Sequence, residues 1–164
     1  MNKRALLVLS VLLGVSGAVA AQRTEKPADA AKPAAGAAQA ITVWRTATCG
    51  CCGKWVDHLK AAGFAPTVHM VQTPDESPAT KGVPAALRSC HSASLEGYNV
   101  EGHVPADVIK QLLKDRPKVA GIAVPGMPAG SPGMESPTPQ TYDIVAYDQS
   151  GKTSVFATRG PQRR

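Results

Sequence analysis

Ile41-Thr42-Val43-Trp44, followed by Thr48-Cys49-Gly50-Cys51-Cys52-Gly53-Lys54-Trp55, is the stretch on which the reading of this chain depends. The first segment is β-branched and aromatic and predicts a short strand. After the second, Trp55, Val56, Leu59 and Ala62 recur at helical spacing and predict one apolar helix face. The cysteines therefore fall on a strand-to-helix turn. Free backbone N–H groups and the helix dipole favour thiolate there, the form that attacks disulfides and binds soft metals.

Outward from this turn the pattern alternates. Gly63 predicts a helix stop and Thr67–Val71 a second strand. Gln72–Gly82 is polar with two prolines and predicts a loop or a poor helix. Pro84 suits a first helical turn, which would deliver Cys90 and His91 at its end. Ser92–Leu95, the Glu96-Gly97 turn and Tyr98–Glu101 predict a hairpin. Val108, Ile109, Leu112 and Leu113 form the stripe of a second helix stopped by Pro117. Val119–Val124 is apolar, and Pro125–Met134 is too rich in Pro and Gly for regular structure. Tyr142–Tyr147 and Thr153–Ala157 predict a last hairpin. This order is that of an α/β, thioredoxin-like fold with an added C-terminal β-hairpin.

The domain is expected to span residues 41–158, followed by a basic tail at 159–164. Before it, Lys3 and Arg4, the apolar run Ala5–Val15 and the small-residue site Ala18-Val19-Ala20 predict a secretory signal peptide over residues 1–20. The run is shorter than the roughly 18–20 residues that a spanning helix needs. Residues 21–40, rich in Ala, Pro, Lys and Gln, read as a flexible linker. The expected location is the periplasm, with no stable membrane insertion once the leader is removed. The formal charge of +6 is mild and scattered, and only 4% of residues are aromatic, which argues against a nucleic-acid-binding face.

Export permits structural disulfides, with three pairings of the four cysteines. Yet three of them crowd into four positions, where bridges close only tiny loops and stabilise little. Chemistry is the better reading, and two kinds compete. Cys49 and Cys52 are spaced C-x-x-C at a helix start, the arrangement of a thiol–disulfide oxidoreductase. On that reading Cys51 is surplus. Alternatively, Cys49, Cys51, Cys52 and Cys90 all ligate a soft ion, Cu(I) first and Zn(II) second. Adjacent cysteines chelate one tetrahedral ion poorly but suit a cluster of several Cu(I) ions. His91, beside Cys90, and His103, in a Pro-containing loop that faces the cysteines in such a fold, are further candidate ligands. So are Met127 and Met134, whose thioethers bind Cu(I) without deprotonation and which lie where there is little core to fill. His58 and His69 have no such context. A third reading is an exported adaptor domain with inert disulfides.

Thr48–Trp55, Leu87–His91, Glu101–Pro105 and Pro125–Met134 together resemble the CopG-like periplasmic metal-binding proteins, a domain long catalogued as of unknown function. The resemblance covers Ile41–Ala157. It implies a thioredoxin-like fold, copper bound by the C-x-C-C cysteines plus the later one, and a part in copper resistance. Residue by residue it points to Cys49, Cys51, Cys52 and Cys90. Between Val71 and Val83 the chain is shorter and richer in proline than the helix the resemblance implies there. The expected function is to hold copper for resistance, sequestration or Cu(II)/Cu(I) handling, as a binding protein more than an enzyme. The expected partners are copper ions and other periplasmic copper-handling proteins.

Overall fold

A computed structural model describes residues 38–161. The expected signal peptide, most of the linker and the last three residues of the basic tail lie outside the described residues.

The described chain is a mixed α/β structure with one sheet of seven strands and two α-helices. β1 (Gln39–Thr46), α1 (Gly50–Ala61) and β2 (Phe64–Val71) form a parallel β-α-β unit, with Val43 opposite Val68. β3 (His91–Leu95) and β4 (Tyr98–Glu101) form the expected hairpin, turning on Glu96 at φ 44° and Gly97 at φ 87°. Two consecutive positive φ angles make the tight turn whose twist matches its strands. α2 (Ala106–Asp115) follows, then β5 (Gly121–Ala123), β6 (Tyr142–Tyr147) and β7 (Thr153–Arg159). The sheet order is β2-β1-β3-β4-β5-β6-β7. No helix among the described residues is long and apolar enough to cross a membrane.

Two strand starts differ from the sequence reading. β1 begins at Gln39, two residues inside the expected linker, because the Gln39 N–H donates to Gly63 O at 3.2 Å and its side chain to Glu96 at 2.9 Å. β2 begins at Phe64 rather than Thr67. Its Pro66 has no N–H, which an edge strand tolerates. Residues 72–82 form no α-helix but hold two short 3₁₀ turns, Pro74–Glu76 and Pro78–Thr80, each opened by a proline.

Alternation along the strands divides the core in two. On one face, Ile41, Val43, Ala93, Leu95, Val100, Ile122, Ile144 and Ala146 pack with Trp55, Val56 and Leu59 of α1 and Val108, Ile109 and Leu112 of α2. On the other, Ala123 and Tyr147 pack with Val83 and Leu87 of the connection before β3. This second layer carries the segment that ends at Cys90 across the sheet toward the start of α1.

Candidate metal centre

β1 ends just before the turn that carries the cysteines. Cys49 is the N-cap of α1, and its sulfur accepts the Cys52 N–H at 3.3 Å. Arg45, at the end of β1, donates to the carbonyl oxygens of Cys49 at 2.9 Å and Thr46 at 3.3 Å. These bonds tie the end of β1 to the cysteine turn. Arg45 was invisible to motif reading; the available signal was a charge closing an apolar strand four residues before Cys49.

Cys90 arrives from the other side of the sheet. The turn after Pro84 is shorter than the sequence predicts: it is a 3₁₀ turn ending at Leu87. Arg88 is already extended, and the Ser89 N–H donates to Glu101 Oε1 at 2.7 Å. That bond draws residues 88–90 onto the sheet, so Cys90 precedes β3 and His91 is its first residue.

The two segments meet sulfur to sulfur. Cys49 and Cys52, the C-x-x-C pair, form a disulfide, and Cys51 and Cys90 are free thiols. Cys90 Sγ lies 3.2 Å from Cys52 Sγ and 3.5 Å from Cys49 Sγ, and Cys51 Sγ lies 3.4 Å from Cys49 Sγ. All four sulfurs fall within 4.8 Å of one another. Burial pushes the Cys90 thiol above its ordinary value, and the charge of Cys51 adds to this. A bound cation would supply the missing positive charge.

His91 and His103 are fully buried and adjoin the sulfurs, their rings 4.8 Å apart and perpendicular. His91 Nε2 donates to Gly102 O at 3.0 Å, which leaves the Nδ1 lone pair facing Cys90 Sγ at 3.6 Å. His103 Nδ1 donates to Pro132 O at 2.9 Å, and its buried Nε2 has no protein partner. Burial lowers the pKa of both rings, His91 to about 3 with the charges of His103 and Arg45 adding to the effect, so His91 is neutral at physiological pH. In each ring one nitrogen is held by a carbonyl, while the other meets the Cys90 thiol in His91 and no protein group in His103, the way a histidine is oriented for a metal. Cys90, His91 and His103 offer one ligand atom each within 4.8 Å. The two free thiols, the two sulfurs that reduction of the disulfide would free and the two imidazole nitrogens make a donor set that suits copper.

Met127 and Met134 line a cleft of about 550 Å³ beside Cys51, between the first turn of α1 and the Pro/Gly loop. Gly133 makes that approach possible. A Cβ there would stand 2.6 Å from Cys51 O and 3.1 Å from Trp55 N. The two unassigned histidines lie elsewhere: His58 accepts the Ala106 N–H at the start of α2 at 3.0 Å, and His69 stacks on Trp44 at 5.7 Å.

The family described as "Protein of unknown function, DUF411" matches residues 87–134, from the turn before Cys90 to Met134. No curated protein matches the chain. Two solved structures do, and both cover nearly their whole length. "Copper resistance protein copG- Form 2" is 44% identical over 74% of this chain and 98% of its own, with a TM-score of 0.69. "Copper resistance protein copG- Form 1" is 44% identical over 75% and 98%, with a TM-score of 0.68. With that identity over about three quarters of its length, the chain belongs to the CopG copper-resistance family.

Proposed function

We propose that this chain is an exported periplasmic protein that holds Cu(I), several ions per chain, on the sulfurs of Cys49, Cys51, Cys52 and Cys90. The observation that carries the reading is the meeting of all four sulfurs within 4.8 Å, across two segments about forty positions apart. His91 Nδ1 and His103 Nε2 complete the donor set from the inner side. Thiolates at such spacing can each bridge two ions, which favours a cluster over a single tetrahedral centre. The task is copper resistance by sequestration or by handling copper between Cu(II) and Cu(I). The signal-like start of the sequence supports export, and the likeness to copper-resistance structures supports the metal. The fold reading is thioredoxin-like, supported by a β-α-β unit with C-x-x-C at its first turn. On this reading the domain, from β1 at Gln39 to β7 at Arg159, follows a cleaved leader and a linker.

The Cys49–Cys52 disulfide favours a second reading, a thiol–disulfide oxidoreductase in which one of the pair attacks and the other resolves. Anaerobic titration of the reduced protein against a Cu(I) chelator separates the two. More than one Cu(I) per chain is expected. None would remove the copper reading and promote the second; one would remove the cluster.

A further inference from the structure

The last residue of β6 is a buried phenol that the metal centre as described does not use. Tyr147 is 1% exposed, yet its hydroxyl has no hydrogen-bond partner among the described residues. A buried tyrosine hydroxyl is ordinarily paired, so this one calls for a reason. Asn99, Gly121 and Tyr147 stand in register across β4, β5 and β6. A Cβ on Gly121 would stand 2.6 Å from the Tyr147 hydroxyl and closer still to Asn99 O. Glycine in mid-strand therefore keeps open the path by which the phenol reaches over β5 to β4.

Two residues beyond Asn99, on the same face of β4, is Glu101. It too is 1% exposed, and its two oxygens differ. Oε1 accepts the Ser89 N–H at 2.7 Å, whereas Oε2 has no partner among the described residues. Burial pushes the Tyr147 phenol up to about 12, and the charge of Glu101 adds to this, so the hydroxyl keeps its proton beside that carboxyl. A phenol both donates and accepts, and so suits Oε2 whether or not the carboxyl is ionised. The two groups make no direct bond, the situation in which one water joins two buried polar groups.

Ring and hydroxyl both bear on the segment that ends at Cys90. The ring packs with Val83 and Leu87 of that segment, and the hydroxyl faces the carboxyl that holds Ser89. Cys90 is the next residue, and its sulfur completes the four from 3.2 Å and 3.5 Å away. We infer that Tyr147 is a positioning residue for Cys90: paired with Glu101 through a bridging water, it fixes the carboxyl that sets Ser89, and so makes the C-terminal hairpin part of the metal centre. The effect on metal binding rests on the copper reading; the placing of the Cys90 thiol does not.

The test uses reduced, copper-free protein and alkylation of each cysteine followed by mass spectrometry. Tyr147→Phe keeps the ring and removes the hydroxyl. It should speed alkylation of Cys90 about twofold to tenfold, the worth of one hydrogen bond, and leave Cys51 at its wild-type rate. Cu(I) affinity in chelator competition should fall by a like factor, with the number of ions unchanged. Tyr142→Phe, on the same strand but packed on the opposite face, should change neither. In a Glu101→Ala background Tyr147→Phe should add nothing, since the carboxyl through which it acts is gone. A Cys90 rate that stays at the wild-type value in Tyr147→Phe overturns the inference, even if the melting temperature falls, because the tyrosine would then only fill the core. Effects that add in full in the double variant overturn it too. A faster Cys90 rate in a protein whose wild type takes up no Cu(I) would uphold the positioning and remove the copper reading alone.

Discussion

Gly133→Ala tests whether close packing of the Pro/Gly loop on α1 builds the site. Gly133 sits at φ +87°, where an L side chain is strained by roughly 1–2 kcal/mol. Its new Cβ would also press on Cys51 O at 2.6 Å and Trp55 N at 3.1 Å. Both are backbone atoms of the first turns of α1, so no flexible side chain can yield, and overpacking of this kind costs roughly 1–3 kcal/mol more. Gly126→Ala is the comparator, because it has φ +71° and nothing within 4 Å of the added Cβ. It should lose only the conformational part. For a domain of this size 1 kcal/mol shifts the melting temperature by about 4 °C. The Gly126 variant should therefore melt about 4–8 °C lower, and the Gly133 variant about 8–20 °C lower. Thermal unfolding of the reduced, copper-free proteins measures both. Equal losses would refute the close-approach argument, since the two sites would then differ only in name.

The other expectations concern the buried carboxyl and the two free thiols. Burial raises the pKa of Glu101 from 4.5 to about 7, so the folded state prefers the neutral acid. Its contribution is fully present below pH 4.5 and is lost as pH rises through 7; Glu101→Gln, which keeps an acceptor for the Ser89 N–H, should flatten the denaturant midpoint across that window. A pH slope that survives in the variant would assign it to another group. Cys51→Ser should cut Cu(I) capacity yet leave the Cys49–Cys52 bond and any insulin-type reduction in place, and full copper binding with strong reductase activity would favour the oxidoreductase. Cys90→Ala should lose copper and keep its fold within roughly 1 kcal/mol, because Cys90 is only half-buried; a larger loss with copper binding intact would make it a core residue.

What the sequence disclosed was what lies close along the chain. The Glu96-Gly97 turn between two apolar pairs could be read directly, because a two-residue loop needs positive φ and Gly97 supplies it. The α1 face of Trp55, Val56 and Leu59 followed from spacing, and the crowding of Cys49, Cys51 and Cys52 marked the site. The remainder depends on contacts between distant residues. Nothing near Cys90 states that Glu101, twelve positions away, holds the Ser89 N–H and shortens the turn to 3₁₀ form. The sequence predicts the second strand from Thr67, and Pro66 belongs to it because β2 lies at the sheet edge. Gly133 was one glycine among several in an irregular loop until the fold set it against the Cys51 carbonyl. His91 and His103 could be named as candidates, but the orientation of their rings depends on Gly102 O and Pro132 O, the second of them twenty-nine positions away.

The sulfur geometry also bears on how the two readings of C-x-x-C relate. A sulfur in a disulfide carries no thiolate charge, and it is the thiolate that binds soft metal. With Cys49 and Cys52 joined, Cys51 and Cys90 remain as free thiols, two of the four proposed ligands. Copper and the disulfide therefore compete for the same atoms, and any ion that binds all four sulfurs stabilises the reduced form by mass action. Cys90 Sγ, 3.2 Å from Cys52 Sγ, is also within reach to attack the bond if its raised pKa is overcome. On the proposed function, the disulfide is the copper-free, oxidised state of a site whose reduced state holds the metal. The reduction potential of the Cys49–Cys52 pair should then rise with free Cu(I) concentration, and it should be insensitive to copper if the pair is purely a redox couple.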